Sequence, residues 1–315
     1  MAELRLTLFG NALDFFSEGV LLLDQNDPRT LKYAILHVAS AAELVLKARL
    51  AQEHWTLIFR NPSKAIVDEF ERRKFTSVDF DGTLERLKNI CRLDLSEHRP
   101  TLQTLRDMRN EIQHFEFTGA VPEIASILVK TWSFLLDFIH EEVADQLDGE
   151  LVTQFEDIKG RMIKHEAYVT QRLAEIATRL AVPQREGTLI VSCPSCLQET
   201  LVIPADEHPY CPFCRYEADP EEVADDWATV FVGYPHTDPK ERSIDPVLKE
   251  CTACGADTMI ELESAGVYPA DPAWICFSCG ESGSPISECH SCGEEFPWEM
   301  EVYLCPRCRG EAEDA

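Results

Sequence analysis

Cys193-Pro-Ser-Cys196 and Cys211-Pro-Phe-Cys214 carry the strongest structural signal in this chain, because each places two thiols two residues apart. That gap lets one tight turn direct two thiolates at a single cation, and two such turns complete a tetrahedral metal site. Twelve of the thirteen cysteines form pairs of this kind, whereas random placement would give about half of one pair. The paired cysteines are Cys193, Cys196, Cys211, Cys214, Cys251, Cys254, Cys276, Cys279, Cys289, Cys292, Cys305 and Cys308.

Pairing these Cys-x-x-Cys knuckles in sequential order predicts three four-cysteine sites, in segments 188–218, 251–280 and 286–309. The segments resemble zinc ribbons, which are small β-hairpin modules. A metal with four cysteine ligands has no open position for catalysis, so we expect three structural zinc ions.

Three alternatives stay open for the cysteines. A disulfide framework is one, and iron held as in rubredoxin-like sites is another. The third is a metal shared between the pairs at 276/279 and 289/292, which lie close together in the sequence. Gly255, Gly280 and Gly293 each follow a second cysteine, where a backbone with positive φ suits the turn.

The net charge of the chain indicates which kinds of partner it could bind. Its 315 residues include 29 Lys and Arg against 56 Asp and Glu, for a net charge of −27, which argues against non-specific coating of nucleic acid. Residues 188–315 hold 6 basic and 26 acidic side chains, a net charge of −20. This region includes an acidic insert at 219–250, with a capped helical turn at Asp219–Trp227, and an acidic tail at 310–315. Such a surface favours a protein partner for the ribbons, and an adaptor without enzymatic activity is one interpretation of the chain.

Residues 1–150 have a helical pattern. Apolar residues recur at helical spacing after Asp27-Pro28, an N-cap with proline in the first turn. Strand signals are weak, so the predicted fold class is an all-α N-terminal helical bundle followed by small β-rich zinc-ribbon modules. The other predicted helices lie around 4–23, 63–74, 83–93, 100–116 and 122–147.

Residues 151–182 are amphipathic and predict one long helix of about 46 Å. Its apolar spacing permits a coiled-coil seam, and packing on its own domain is the alternative. Residues 183–187 serve as the linker to the ribbons, and Cys91 is interpreted as a small buried apolar residue.

No apolar run is long enough for a membrane helix and no signal-type segment is present, so we expect a cytoplasmic protein that does not bind a membrane.

The stretch Arg106-Asp-Met-Arg109-Asn110-Glu-Ile-Gln-His114 resembles the signature of the HEPN superfamily. These are small all-α domains, many of them metal-independent ribonucleases that dimerise to build one composite site. Two other Arg–His pairs have similar spacing, Arg49/His54 and Arg92/His98, but neither has Asn after the Arg. The apolar segment 33–47, which carries the acid Glu43 and the base Lys47, is also similar to the family.

The resemblance implies an RNA endonuclease whose catalytic residues are Arg109, Asn110 and His114. It also implies a homodimer, a 2′,3′-cyclic phosphate product and a role as a toxin or an antiviral-defence effector. On one helix, Asn110 and His114 share a face, whereas Arg109 lies about 140° from His114. Either the long Arg109 side chain wraps around the helix or a second subunit contributes the partner, and the resemblance implies the second subunit. The alternative is that Arg109 pairs with a neighbouring carboxylate on a solvated face and the domain is not catalytic.

Overall fold

The computed structural model describes residues 6–24, 27–205, 207–233, 248–251, 253–262, 274–283, 286–292, 295–297, 307 and 309. The chain divides into two compact units, Met1–Glu175 and Ile176–Ala315. Helices dominate the first unit, and small antiparallel sheets occupy the second, which confirms the predicted fold class.

Eight helices of at least five residues run from the start of the first unit to the start of the second. They are α1 Leu8–Asp24, α2 Pro28–Glu53, α3 Val67–Glu71, α4 Phe80–Asn89, α5 Arg99–His114, α6 Val121–Glu142, α7 Glu150–Met162 and α8 Glu166–Glu186. None of the helices in the described part of the chain combines the length and the apolar character that crossing a bilayer requires.

Helix α2 lies at the centre of the first unit and contacts α1, α4, α5 and α6. It begins where predicted: the Asp27 side chain accepts a hydrogen bond from the Arg29 amide, and Pro28 occupies the first turn. Ile35, Val38 and Leu46 are completely buried on its inner face, opposite the apolar residues of α1 and α6. The sequence periodicity therefore identified the face that forms the core.

The single helix expected over residues 151–182 is interrupted, because α7 ends at Met162 and α8 begins at Glu166. Long-range pairing explains the break. The buried Arg172 guanidinium on α8 makes two hydrogen bonds, of 2.8 and 2.6 Å, to the Asp137 carboxylate on α6. Helix α7 packs on α1, in line with packing on its own domain. The expected linker is helical as far as Glu186, and the helix ends at Gly187 with a φ of +75°.

Residues 54–78, named here the aromatic–basic loop, connect α2 to α4. The helix expected at 63–74 is reduced to a 3-10 turn at Pro62–Lys64 and the short α3. One guanidinium fixes the first part of this loop: Arg86 on α4 donates to the carbonyls of Leu57, Phe59 and Arg60 at 2.5, 2.6 and 2.9 Å. These hydrogen bonds join α4 to the 3-10 turn at Trp55–Ile58 and to the two residues that follow it.

Among its described residues, the second unit contains the end of α8, three small antiparallel sheets and one further α-helix. Helix α9 at Pro220–Trp227 matches the helical turn predicted in the acidic insert, and a π-helical turn at Ala228–Val232 follows it. The sheets are built from β1 Leu189–Ser192, β2 Glu199–Ile203, β3 Leu248–Lys249, β4 Met259–Glu261, β5 Trp274–Cys276, β6 Ser282–Gly283, β7 Ile286–Glu288 and β8 Glu295–Pro297. Strands β1 and β2, and likewise β7 and β8, form hairpins, and β3 to β6 form a four-stranded sheet.

Candidate metal centres and a basic pocket

The first candidate metal centre brings together Cys193, Cys196, Cys211 and Cys214, all of them buried. The Sγ atoms of Cys193 and Cys214 are 3.8 Å apart, and those of Cys196 and Cys211 are also 3.8 Å apart. A tetrahedron with metal–sulfur bonds of about 2.3 Å has edges of about 3.8 Å. The four thiols therefore have the spacing that a tetrahedral metal ion requires.

The second candidate centre has the same dimensions. Cys251 Sγ lies 3.8 Å from Cys279 Sγ, and Cys254 Sγ lies 3.7 Å from Cys276 Sγ. A disulfide would need about 2.05 Å, so the described cysteines are free thiols and the disulfide alternative is wrong for these two groups. Because Cys276 and Cys279 complete the group of Cys251 and Cys254, they do not share a metal with the pair at 289/292.

Only half of the third predicted centre lies in the described part of the chain. Cys289 is buried and Cys292 is exposed, between the strands of the β7–β8 hairpin. Cys305, Cys308 and the acidic tail at 310–315 lie outside the described residues.

Each of the four knuckles in the first two centres closes in the same way. In the first knuckle the Cys193 amide donates to the Gln198 carbonyl and the Leu197 amide donates to the Cys193 carbonyl, both at 2.8 Å. The residue after the second cysteine has a φ of +63° at Leu197, +62° at Arg215, +76° at Gly255 and +70° at Gly280. The prediction from the glycines is therefore confirmed at Gly255 and Gly280, whereas Leu197 and Arg215 adopt the same conformation without any indication from their residue type.

A buried threonine supports each centre, a feature that the sequence analysis missed. The hydroxyl of Thr200 lies 3.1 Å from Cys211 Sγ, and that of Thr258 lies 3.4 Å from Cys276 Sγ. Burial alone would raise the pKa of Cys276, but the Thr258 hydroxyl and the backbone amides of the turn lower it to about 7. The thiolate form, which binds metals, is favoured at this position.

The first two ribbons pack against each other inside the second unit. The indole of Trp227 on α9 donates to the Ser192 carbonyl of β1 at 3.1 Å, and its ring lies 5.8 Å from the ring of Phe277 in the second centre's turn. Gly280 is so close to β2 that an added Cβ would lie 2.6 Å from the Ile203 carbonyl oxygen. Packing between the modules therefore depends on a glycine that the metal-binding turn also requires.

A separate pocket lies in the first unit, between α2, α5 and the start of α4. Its floor is small and apolar, and the charged side chains at its edge are Glu43, Arg106 and Arg109. Arg109 is half-buried and donates to the Asn110 side chain at 2.9 Å. Arg109 therefore shares this pocket with Glu43 and Arg106, and Asn110, its neighbour in sequence, contacts its guanidinium.

Charge compensation distinguishes Arg109 from the other charged groups around this pocket. Lys47 lies 2.5 Å from Glu43, and Arg106 pairs with Asp81 at 3.1 Å. Arg109 has no ion pair among the described residues, which contradicts the alternative that a neighbouring carboxylate neutralises it. An uncompensated, half-buried guanidinium at the edge of a pocket is suited to an anion with planar oxygen geometry.

His114 is the last residue of α5 and is exposed outside this pocket. Its ring contacts Phe115, whose side chain is 80% exposed. Because α5 is one uninterrupted helix, the angular separation of Arg109 and His114 is the one expected from the sequence. The described residues of one subunit do not bring His114 to the pocket.

The two other Arg–His matches have different environments. Arg49 is neutralised by Glu53 at 2.9 Å and by Glu142 at 3.0 Å. Arg92 is exposed in a left-handed turn with a φ of +62° and does not line the pocket. Cys91, predicted to be buried, is half-buried, and burial raises the pKa of its thiol.

Comparison of the chain with protein-family models, with curated proteins and with solved structures finds no match. The fold and the site define a helical domain followed by β-rich cysteine-knuckle modules, two of which could hold a metal ion.

Proposed function

We propose that the protein is a metal-independent RNA endonuclease of the HEPN type, with structural zinc in its ribbons. The observation that carries the proposal is Arg109, an unpaired guanidinium at a pocket edge, hydrogen-bonded to Asn110. Of the three Arg–His matches in the sequence, this is the one whose arginine lies at a pocket and is free to bind a phosphate.

The chemistry uses the RNA's own 2′-hydroxyl. His114 accepts the proton of this hydroxyl, the 2′-oxygen bonds to phosphorus, and the bond from phosphorus to the 5′-oxygen breaks. The departing 5′-oxygen takes up a proton, and a 2′,3′-cyclic phosphate is left. Histidine suits this transfer because its ordinary pKa of about 6.5 lies near neutrality. Arg109 stabilises the charge that develops on the phosphate, and Asn110 holds the guanidinium in place.

We infer a homodimer from the position of His114. One subunit offers an arginine at a pocket and an exposed histidine at the end of the same helix. A second copy would supply the histidine that the pocket lacks. The highly exposed ring of Phe115, next to His114, is an apolar contact available to such a dimer.

The ribbons have a structural role in this proposal. The closed four-cysteine groups have no open coordination position, so zinc would stabilise the fold without taking part in cleavage. Zinc is the metal proposed because four thiolates in a tetrahedron suit it well. A growth-arresting toxin or a defence effector is the proposed biological role.

A cleavage assay tests the nuclease. Zinc-loaded full-length protein and the variants Arg109→Ala and His114→Ala would be incubated with mixed cellular RNA and EDTA. The wild type is expected to leave cyclic-phosphate ends, and each variant to cleave at least 100-fold more slowly, because a general base contributes about 10²–10⁴-fold. DNA should be spared, since it lacks the nucleophile.

Matched controls separate catalysis from loss of folding. Arg92→Ala removes an exposed arginine outside the pocket, and His208→Ala removes an exposed histidine of the first ribbon. Both should cleave like the wild type. Equal cleavage by His114→Ala and His208→Ala would refute the proposed role of His114.

An acidic adaptor is the second candidate, favoured by the charge of the second unit. Glu221 and Glu222 lie in the first turn of α9, where Asp225 and Asp226 follow, and residues 188–315 have a net charge of −20. Zinc bound by four thiolates would leave each site with two further negative charges. This function predicts a basic protein partner that co-purifies at low salt and dissociates at high salt. Recovery of the protein alone at low salt would count against it.

A further inference from the structure

The aromatic–basic loop, residues 54–78, differs in charge from the rest of this acidic chain. It contains five cations, Arg60, Lys64, Arg72, Arg73 and Lys74, against three acids, for a net charge of +2. All five cations are exposed, and none of them has an ion pair or a side-chain hydrogen bond among the described residues. Elsewhere on the same unit, Lys88 and Arg99 pair with carboxylates, and exposed cations without an ion pair among the described residues, such as Lys130 and Lys164, lie far apart in the sequence.

The same loop carries a cluster of aromatic rings. Phe59 and Phe75 are stacked with their centroids 4.1 Å apart, and Trp55 lies 5.2 Å from Phe70. Phe59 is buried, whereas part of each of the other three rings reaches solvent. Unpaired cations around partly exposed rings do not stabilise a fold. They suit a single-stranded nucleic acid, which offers phosphates to the cations and bases to the rings.

The loop is rigidly attached, which lowers the entropic cost of binding. Arg86 fixes three of its carbonyls, and the Arg60 amide donates to the Thr76 carbonyl at 2.9 Å. The latter bond places the backbone of Arg60 next to Thr76, two residues after Lys74. Cations that are distant in sequence are therefore brought close on one surface.

The loop also borders the Arg109 pocket. Lys47 donates to the Ser77 hydroxyl at the end of the loop at 3.0 Å, and it pairs with Glu43, which lines the pocket. Phe80, two residues beyond the loop, lines the same pocket. A strand held by the loop would thus lie next to the unpaired guanidinium of Arg109.

We propose that the aromatic–basic loop binds single-stranded RNA, with its cations on phosphates and its rings against bases. The proposal rests on the proposed function in that it names the surface through which the substrate reaches Arg109. Stacking and phosphate contacts do not distinguish bases, so binding is expected to be weakly sequence-dependent.

The test measures binding without cleavage. A fluorescein-labelled 2′-O-methyl RNA of about twelve nucleotides, which lacks the nucleophilic hydroxyl, would be titrated with full-length zinc-loaded protein between about 50 and 200 mM KCl. Replacing Arg72, Arg73 and Lys74 together by Gln should weaken binding by tenfold or more and make the log–log salt slope shallower by about 2, since each cation on a single strand contributes about 0.7. Phe70→Leu, which keeps an apolar side chain but removes the ring, should weaken binding on the order of tenfold.

A matched control removes three exposed cations outside the loop, Lys130, Lys164 and Arg185, also by Gln. It changes the net charge equally and should bind like the wild type. Equal weakening by both triple variants, or wild-type protein that does not bind, would overturn the proposal. A third pair of results would also overturn it: polyglutamate of matched charge displaces the labelled RNA, and Phe70→Leu binds RNA normally. An acidic protein would then be the occupant of the loop.

The nuclease and the loop can fail separately. Loop-dependent binding by a protein that cleaves no RNA would refute the nuclease and support the loop. If the loop triple variant binds and cleaves RNA like the wild type, and this cleavage still needs His114, the loop proposal is refuted and the nuclease is supported.

Discussion

Replacing Gly280 by Ala tests whether the first two ribbons pack as one body. The backbone of Gly280 has a φ of +70°, and that of Gly255, at the same position of another knuckle, has a φ of +76°. Alanine at either position incurs a conformational cost of about 1 kcal/mol. At Gly280 the new Cβ would also lie 2.6 Å from the Ile203 carbonyl oxygen, whereas at Gly255 the nearest atom would be 3.9 Å away.

The difference between the two variants isolates the contact between the ribbons. Overlap with a backbone atom in a packed interior costs about 1–3 kcal/mol beyond the conformational cost. Since 1.4 kcal/mol is a factor of ten, we expect Gly280→Ala to lose metal to a competing chelator about 5- to 150-fold more readily than Gly255→Ala. Metal transfer to a chromogenic chelator and urea denaturation would measure the effect.

Gly255→Ala is the internal control, because it changes the same turn without touching another ribbon. Equal losses in the two variants would refute packing of Gly280 against β2. A larger loss at Gly255 would show that turn conformation outweighs the contact between the modules.

Three further perturbations test other parts of the structure. Asp137→Ala leaves the buried Arg172 without its bidentate partner and should lower the free energy of unfolding by about 3–5 kcal/mol in urea denaturation. Replacing Asp137 by Leu and Arg172 by Met together should cost much less, because no buried charge is then left without its partner. An equal cost in the two variants would contradict this reasoning. Leu197→Gly relieves a non-glycine residue at a φ of +63° and should raise the urea midpoint of the metal-loaded protein, by about 0.5–1 kcal/mol in stability, and a lowered midpoint would contradict this. Thr258→Val removes the hydroxyl 3.4 Å from Cys276 Sγ and should weaken metal binding about tenfold in chelator competition, whereas unchanged affinity would show that this hydroxyl does not support the thiolate.

The features that the sequence predicted well are those set by neighbouring residues. A Cys-x-x-Cys pair closes its own turn, so the first two metal centres follow from spacing and sequential order. The N-cap at Asp27 and the inner face of α2 also depend on residues a few positions apart. Leu197 shows the limit, because nothing in its side chain indicates a left-handed backbone; the hydrogen bonds of the knuckle impose it.

The features that the sequence did not predict depend on distant residues. The apolar spacing over 151–182 is interrupted at His165 and Glu166, but spacing alone did not indicate two helices; α8 is a separate helix whose Arg172 pairs with Asp137 on α6. In the same way, Arg86 on α4 binds the carbonyls of Leu57, Phe59 and Arg60, just before the helix expected at 63–74. In both places a buried or half-buried guanidinium imposes a local structure that its neighbours in sequence do not specify.

The candidate site also depends on distant residues, so the Arg–His motif alone was not enough to identify it. Three Arg–His pairs have nearly the same spacing, and of the three only Arg109 is followed by Asn. The folded chain separates them by charge: Arg49 is neutralised by two carboxylates, whereas Arg109 has none. Glu43 could have neutralised Arg109 across the pocket, but Lys47 holds this carboxylate from one turn further along α2. Lys47→Met should therefore release Glu43 to pair with Arg109 and reduce both RNA cleavage and phosphate affinity, and unchanged cleavage would show that Arg109 does not depend on this compensation.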